Sequence, residues 1–316
     1  MKKIAFIFPG QGSQEVGMGS DIQEFSPEAK KVFTTADDCL KFGLSELIAK
    51  GPKEVLTETK NTQPALLTTS VAYLRLLEKE GISPTFTAGH SLGEYSALVA
   101  SGVLSFEDAV TLVRKRGELM EEAVPNGEGA MAAVLGLAQE LLEQAAKEVR
   151  EAGDIVQLAN LNCPGQIVVS GSVQGVAVLS EKAKELGARR VLSLEVSGPF
   201  HSELMKPAAE QFQAELANKE FRNAAIPVVS NVTAQAVTEG KQVANLLIEQ
   251  LYSPVHWEAS VRYMIEQGVD TFVEIGPGKV LGGLVKKTER SATVCFVNSV
   301  ESFQETVQFL KEGDQK

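Results

Sequence analysis

Cysteine, histidine, aromatics and long apolar runs are all scarce in this 316-residue chain, and each scarcity excludes a class of protein. The three cysteines, Cys39, Cys163 and Cys295, stand far apart with no C-x-x-C spacing, so no disulfide framework is expected. His90, His201 and His256 are equally scattered, which argues against a structural zinc site. Aromatics make up 6% of the chain with a single Trp, too few for the stacking platforms of nucleic-acid modules. Positive charge is in deficit: 30 Lys and Arg face 41 Asp and Glu, a net charge of −11. Such a chain is repelled by phosphate backbones and anionic membrane surfaces, so neither nucleic acid nor membrane is expected as a partner. The longest uncharged stretch, 155–180, is interrupted by Asn, Gln, Gly, Ser and Pro164, which excludes a membrane span. At the N-terminus two lysines precede an apolar run of only five residues before Pro9, too short for a signal-peptide core. A cytoplasmic, reducing location is therefore expected, where the sequon Asn231-Val232-Thr233 meets no glycosyltransferase.

What is present is an ordinary globular composition, 44% hydrophobic, long enough for two domains or one large domain with an insertion. Strand-length apolar runs alternate with longer helical patterns, which predicts an α/β core with a largely parallel sheet. Strands are expected at 3–8, 85–90, 226–231 and 271–275, and helices at 27–42, 63–80, 92–101, 105–123, 205–219, 257–267 and from about 278. The cluster Pro125-Asn126-Gly127-Glu128-Gly129 breaks this rhythm. After it the order becomes β-α-β-β-α-β, a ferredoxin-like arrangement, so 128–196 reads as a small domain inserted into a core formed by 1–127 and 197–316.

Gly89-His90-Ser91-Leu92-Gly93 fits the nucleophile-elbow pattern G-x-S-x-G and lies between an expected strand and an expected helix. Side chains two residues either side of such a turn would collide, hence the glycines. The turn also sets Ser91 at a helix N-terminus, where the Leu92 N–H can meet an oxyanion. An ordinary tight turn is the competing reading. A serine also needs a base. His90 adjoins the nucleophile and points elsewhere, while His201 precedes a helix at a strand end and His256 lies at a helix start. Position leaves these last two open. On the helix from Ser105, Arg116 falls on the apolar stripe of Ala109, Leu112, Val113, Gly117 and Met120. A desolvated guanidinium must be paired, either in an internal salt bridge or with a substrate carboxylate. Two glycine-rich segments, 10–15 and 276–280, fail the dinucleotide and phosphate-loop patterns and read as strand-end loops. In the first of them, Gln11 is a candidate second oxyanion donor.

FPGQGSQ at 8–14, TQPAL at 62–66, GHSLGEYSAL at 89–98, the RG pair at 116–117, PFHS at 199–202, QLYSPVHW at 250–257 and EIGPGKVL at 274–281 together resemble the malonyl-CoA:acyl carrier protein transacylases. The resemblance runs over nearly the whole chain. It implies an α/β-hydrolase-like core bearing a ferredoxin-like subdomain, and transfer of malonyl from malonyl-CoA to acyl carrier protein. It implies Ser91 as nucleophile, His201 as general base oriented by the Gln250 backbone carbonyl, and Arg116 as the malonyl carboxylate's partner. The backbone N–H groups of Gln11 and Leu92 would form the oxyanion hole, with Gln63 lining the pocket. In related polyketide acyltransferases an aliphatic residue after the nucleophile and Phe before the histidine accompany malonyl over methylmalonyl, and Leu92 and Phe200 fit this. No metal or resident cofactor is implied, since CoA is carried by the substrate and phosphopantetheine by the partner, and a monomer suffices. Carrier protein is acidic, so docking on this acidic chain requires a local basic patch: Lys182, Lys184, Arg189 and Arg190, or Lys286, Lys287 and Arg290. A serine hydrolase on the same elbow, a polyketide acyltransferase and an inactive regulatory subunit are the alternative readings.

Overall fold

The computed structural model describes residues 2–125 and 127–312; Asn126, in the breaker cluster, lies outside them. The main sheet contains β1 (Ile4–Phe8), β2 (Phe86–Gly89), β7 (Val228–Val229), β8 (Ala236–Val237), β9 (Thr271–Ile275) and β10 (Thr293–Val297) in the order β10-β9-β1-β2-β7-β8. All pairings are parallel except β7 with β8. A parallel strand covered on both faces is apolar throughout, and β1 shows this with Ala5 to Phe8 fully buried. Alternation then divides it. Phe6 and Phe8 enter one apolar cluster with the helices Pro27–Leu40, Thr59–Lys79 and Phe106–Glu122. Ala5 and Ile7 enter another beneath Trp257–Glu266 and Val280–Thr288.

A second, wholly antiparallel sheet holds β3 (Gly129–Leu135), β4 (Val156–Cys163), β5 (Gln166–Ser172) and β6 (Arg190–Ser193) in the order β4-β5-β3-β6. The helices Gln139–Glu151 and Val173–Glu185 close a separate apolar cluster against it. With its β-α-β-β-α-β chain order, this is the ferredoxin-like unit expected from the sequence.

Two differences from the expected elements matter for the site. The helix expected from 63 begins at Thr59, which places Pro64 inside it. Proline has no N–H for the Lys60 carbonyl, and Arg114 Nη1 donates to that oxygen instead at 3.3 Å. The helix Gly240–Gln250 has no counterpart among the expected elements; its amphipathic run follows a polar loop with no strong cap signal. Among the described residues no helix is long and apolar enough to cross a membrane.

Candidate active site

The chain ends of β1, β2 and β7 open on one side of the main sheet, where open parallel sheets gather their ligands. Ser91 leaves β2 with φ of 51°, a left-handed conformation that costs a non-glycine residue about 1–3 kcal/mol. The glycines on either side are steric necessities: a Cβ on Gly89 would strike the Gly93 backbone, and one on Gly93 the Phe8 carbonyl. The turn is an elbow, not an ordinary one.

The elbow brings Ser91 Oγ within 2.8 Å of His201 Nε2, while His201 Nδ1 lies 2.8 Å from the Gln250 carbonyl oxygen. That carbonyl belongs to the last residue of its helix, so it has no intrahelical donor and is free to accept. Nδ1–H therefore donates to Gln250, which leaves Nε2 as the acceptor for the serine hydroxyl. His201 is itself left-handed at φ 58°, and Gln157 Nε2 holds its carbonyl at 3.1 Å. Burial, reinforced by the Arg116 charge, pushes His201 down to about 3, so the imidazole is neutral and Nε2 is unprotonated, free to accept. His256 is the N-cap of the helix Trp257–Glu266 and does not reach Ser91. His90 pairs with Asn162 Oδ1 at 2.8 Å and packs on Trp257.

Arg116 is 1% exposed, yet no ion pair among the described residues includes it. Its Nη1 donates to Gln63 Oε1 at 2.9 Å; its Nη2 donates to Gln250 Oε1 at 3.0 Å and to Ser91 Oγ at 3.2 Å. Its Nε has no hydrogen-bond partner among the described residues. The internal salt bridge is thus absent, and a full positive charge sits over the nucleophile among neutral acceptors. Gly117 makes this burial possible: any Cβ there would stand 2.6 Å from Lys60 Cα, holding the two helices apart.

Gln11, Leu92, Arg116, Phe200 and His201 line, with Ser91, a pocket of about 510 Å³. The Gln11 side chain donates to Thr59 Oγ1 at 3.0 Å. Neither the Gln11 nor the Leu92 backbone N–H has an acceptor among the described residues. Gln63 lies behind the wall, 1% exposed, holding Arg116 with its amide oxygen. No cluster of His, Cys, Asp or Glu that could hold a metal ion occurs among the described residues.

The acyl transferase domain model matches residues 5–308. The malonyl CoA-acyl carrier protein transacylase of Bacillus subtilis (strain 168) is 58% identical over 312 residues, 99% of this chain and 98% of that one. The chain belongs to the acyl transferase domain family. Among solved structures, an acyl carrier protein S-malonyltransferase from Vibrio cholerae superposes on this acyl transferase with a TM-score of 0.95 at 45% identity, covering 96% of this chain and all of the other. A malonyl-transacylase in complex with its type II polyketide acyl carrier protein gives 0.95 at 43% identity, covering 97% and 99%.

Two residues of this acyl transferase site escaped the sequence reading of the site. Asn231, which reads in sequence as part of an idle sequon, is 1% exposed with its side chain fully engaged. Its Oδ1 accepts from Ser91 N at 2.7 Å and its Nδ2 donates to Gly89 O at 2.6 Å. Glu94, three residues after the nucleophile, is 3% exposed and bonded to both Gln250 and Asn231. Glu274, in the EIGPG segment, instead turns inward to accept from the Leu281 and Gly282 N–H groups, so that motif caps a helix.

Proposed function

We infer that this acyl transferase moves malonyl from malonyl-CoA to the phosphopantetheine thiol of an acyl carrier protein in fatty acid biosynthesis, in the cytoplasm. The observation that carries the reading is Arg116: a buried guanidinium with no carboxylate partner, aimed at the nucleophile's oxygen. A malonyl carboxylate completes it in the bidentate geometry a guanidinium favours.

The reaction then follows from the site. Ser91 Oγ attacks the thioester carbon and gives its proton to His201 Nε2. The Leu92 and Gln11 N–H groups meet the oxyanion, each donor contributing roughly 3–4 kcal/mol in the transition state. Collapse breaks the C–S bond, and His201 returns the proton to the departing CoA thiolate. The carrier thiol repeats the steps in reverse order and regenerates the free serine. A thioester is an activated acyl donor with a good leaving group, so a histidine oriented by a carbonyl suffices without a triad acid. Every proton is handled by these residues, so the reading invokes no resident cofactor, and one chain supplies every group.

Intact mass after incubation with malonyl-CoA tests this. A single malonyl adduct is expected, absent with acetyl-CoA and in Ser91→Ala, and discharged by carrier protein. Steady release of CoA and malonate without carrier would instead make the protein a hydrolase.

Carrier docking has a place on the surface. Arg189 and Arg190 from the small unit and Lys286, Lys287 and Arg290 from the core line one cleft of about 860 Å³. The second candidate patch and the arginine half of the first therefore share one cleft. Lys182 and Lys184 lie outside it, paired with Glu148 and Glu181 at 2.7 Å each. Met131 lines the serine pocket and Leu135 the basic cleft, about 13 Å apart along β3 at the usual strand rise. An extended phosphopantetheine arm spans that gap. Charge reversal of Arg190 together with Lys287 is expected to raise the carrier KM at least tenfold while Ser91 acylation by malonyl-CoA is unchanged. A carrier KM that did not move would remove the cleft from the reaction.

A further inference from the structure

Glu94 is a buried ionisable group to which the transfer reaction above gives no task. It occupies the first turn of the helix Gly93–Ala100, and burial pushes its carboxyl up to about 7 against hydrogen bonds from Gln250 and Asn231 and the Arg116 charge. Such a group is expensive to keep in a core unless its contacts serve something.

Its contacts lead to both halves of the site. Glu94 Oε2 accepts from Gln250 Nε2 at 2.7 Å and from Asn231 N at 3.2 Å. Gln250 Nε2 also donates to the Ser91 carbonyl at 3.1 Å, and Asn231 Oδ1 accepts from the Ser91 N–H. Both backbone polar groups of the strained nucleophile are therefore held by residues that Glu94 holds. The Gln250 amide has a second consequence. Its nitrogen lies between two acceptors, Glu94 and the Ser91 carbonyl, which turns its oxygen toward Arg116 Nη2. Reversed, the amide would set N–H donors against guanidinium donors, and Arg116 would lose the acceptor that helps aim it at Ser91.

We propose that Glu94 is a positioning residue which, by orienting the Gln250 amide and anchoring Asn231, holds the Ser91 elbow and aims Arg116 at the acyl group. The proposal rests on the malonyl-transfer reading and adds a residue that touches no substrate. It predicts a signature that loss of packing alone would not produce, because the Arg116 arm of the network governs selectivity and not merely rate.

The test compares Glu94→Met, Glu94→Gln, Gln250→Met and the Glu94→Met/Gln250→Met double variant. The readouts are single-turnover Ser91 acylation by malonyl-CoA and by acetyl-CoA, with folding checked by circular dichroism and Tm. Methionine keeps the volume and removes the acceptor; glutamine keeps an acceptor oxygen. Glu94→Met is expected to slow malonyl acylation about 10- to 100-fold, as small misplacements of a reacting group do. It should also lower the malonyl-to-acetyl ratio at least tenfold, and Glu94→Gln should restore most of that ratio. Gln250→Met, whose backbone carbonyl still serves His201, should reproduce the loss of selectivity, and the double variant should be no worse than either single one. A folded Glu94→Met protein with unchanged selectivity, or one slowed equally toward both thioesters, would overturn the proposal. Should Glu94→Met fail to fold, Gln250→Met decides: selectivity retained there refutes the linkage, and selectivity lost supports it. Absence of any malonyl adduct on the unmodified protein would refute the malonyl reading itself, and the proposal with it.

Discussion

Arg116→Ala should lose malonyl transfer by about 30- to 4,000-fold in kcat/KM while acetyl transfer is retained or increased, which inverts the substrate preference. The range follows from the roughly 2–5 kcal/mol at stake when one member of a buried, hydrogen-bonded charge pair is removed. In the intact protein the guanidinium is held by Gln63, Gln250 and Ser91, with its Nε unpartnered among the described residues. Malonyl supplies the carboxylate this arrangement lacks. Acetyl supplies a methyl group, which would keep the charge desolvated and unpaired, and that mismatch is the basis of rejection. Removing the guanidinium relieves the penalty on acetyl and leaves the malonyl carboxylate as the unpaired buried charge. Competition between the two thioesters for Ser91, followed by intact mass, reads the ratio directly. A variant that still chose malonyl by the unmodified margin would take Arg116 out of substrate recognition.

The parts of this site legible in sequence are those where one residue type answers one steric or chemical demand. Gly89 and Gly93 are read correctly because no side chain fits between β2 and the helix behind it. Arg116 is visible because a charge on an apolar stripe contradicts helical amphipathicity. Four of the six strands of the main sheet follow from strand-length runs, without β8 and β10, and the second sheet follows from the change of rhythm after residue 127. What sequence hides is long-range pairing. Gln250 Oε1 meets Arg116 across 134 positions, and Asn231 meets Ser91 across 140, with nothing local to mark either amide. Glu94 was equally hidden, because a glutamate in a helix's first turn is the commonest of dipole partners and ordinarily faces solvent. The choice between His201 and His256 is of this kind too. Both sit at helix starts, so position alone does not separate them; the family resemblance points to His201, and the reach of Ser91 Oγ agrees.

His201→Ala should slow Ser91 acylation by about 10²–10⁴-fold, the usual worth of a general base. The pH profile gives a sharper test, because its sign is fixed by the site. The base must be neutral to take the serine proton. Burial, and then the Arg116 charge, hold its folded pKa at about 3, far below the ordinary 6.5. Protonation is thus resisted as pH falls through the range where an exposed histidine would charge. Acylation kcat/KM, which reports the free enzyme, should therefore stay flat between about pH 7 and pH 5 where His201 is the only titrating group. Glu94, with its carboxyl near 7, titrates inside that window, so the profile is to be taken in the Glu94→Gln protein as well. Two shifts follow from the Arg116 contribution. In Arg116→Ala the acid limb should move to higher pH, because the cation that opposes the imidazolium is gone. In kcat the limb should lie higher than in kcat/KM, because a bound malonyl carboxylate offsets the same cation. An acid limb near 6.5 in kcat/KM of the Glu94→Gln protein would mean that the histidine is solvated when the substrate arrives. The buried, Arg116-facing geometry would then not be the state that reacts.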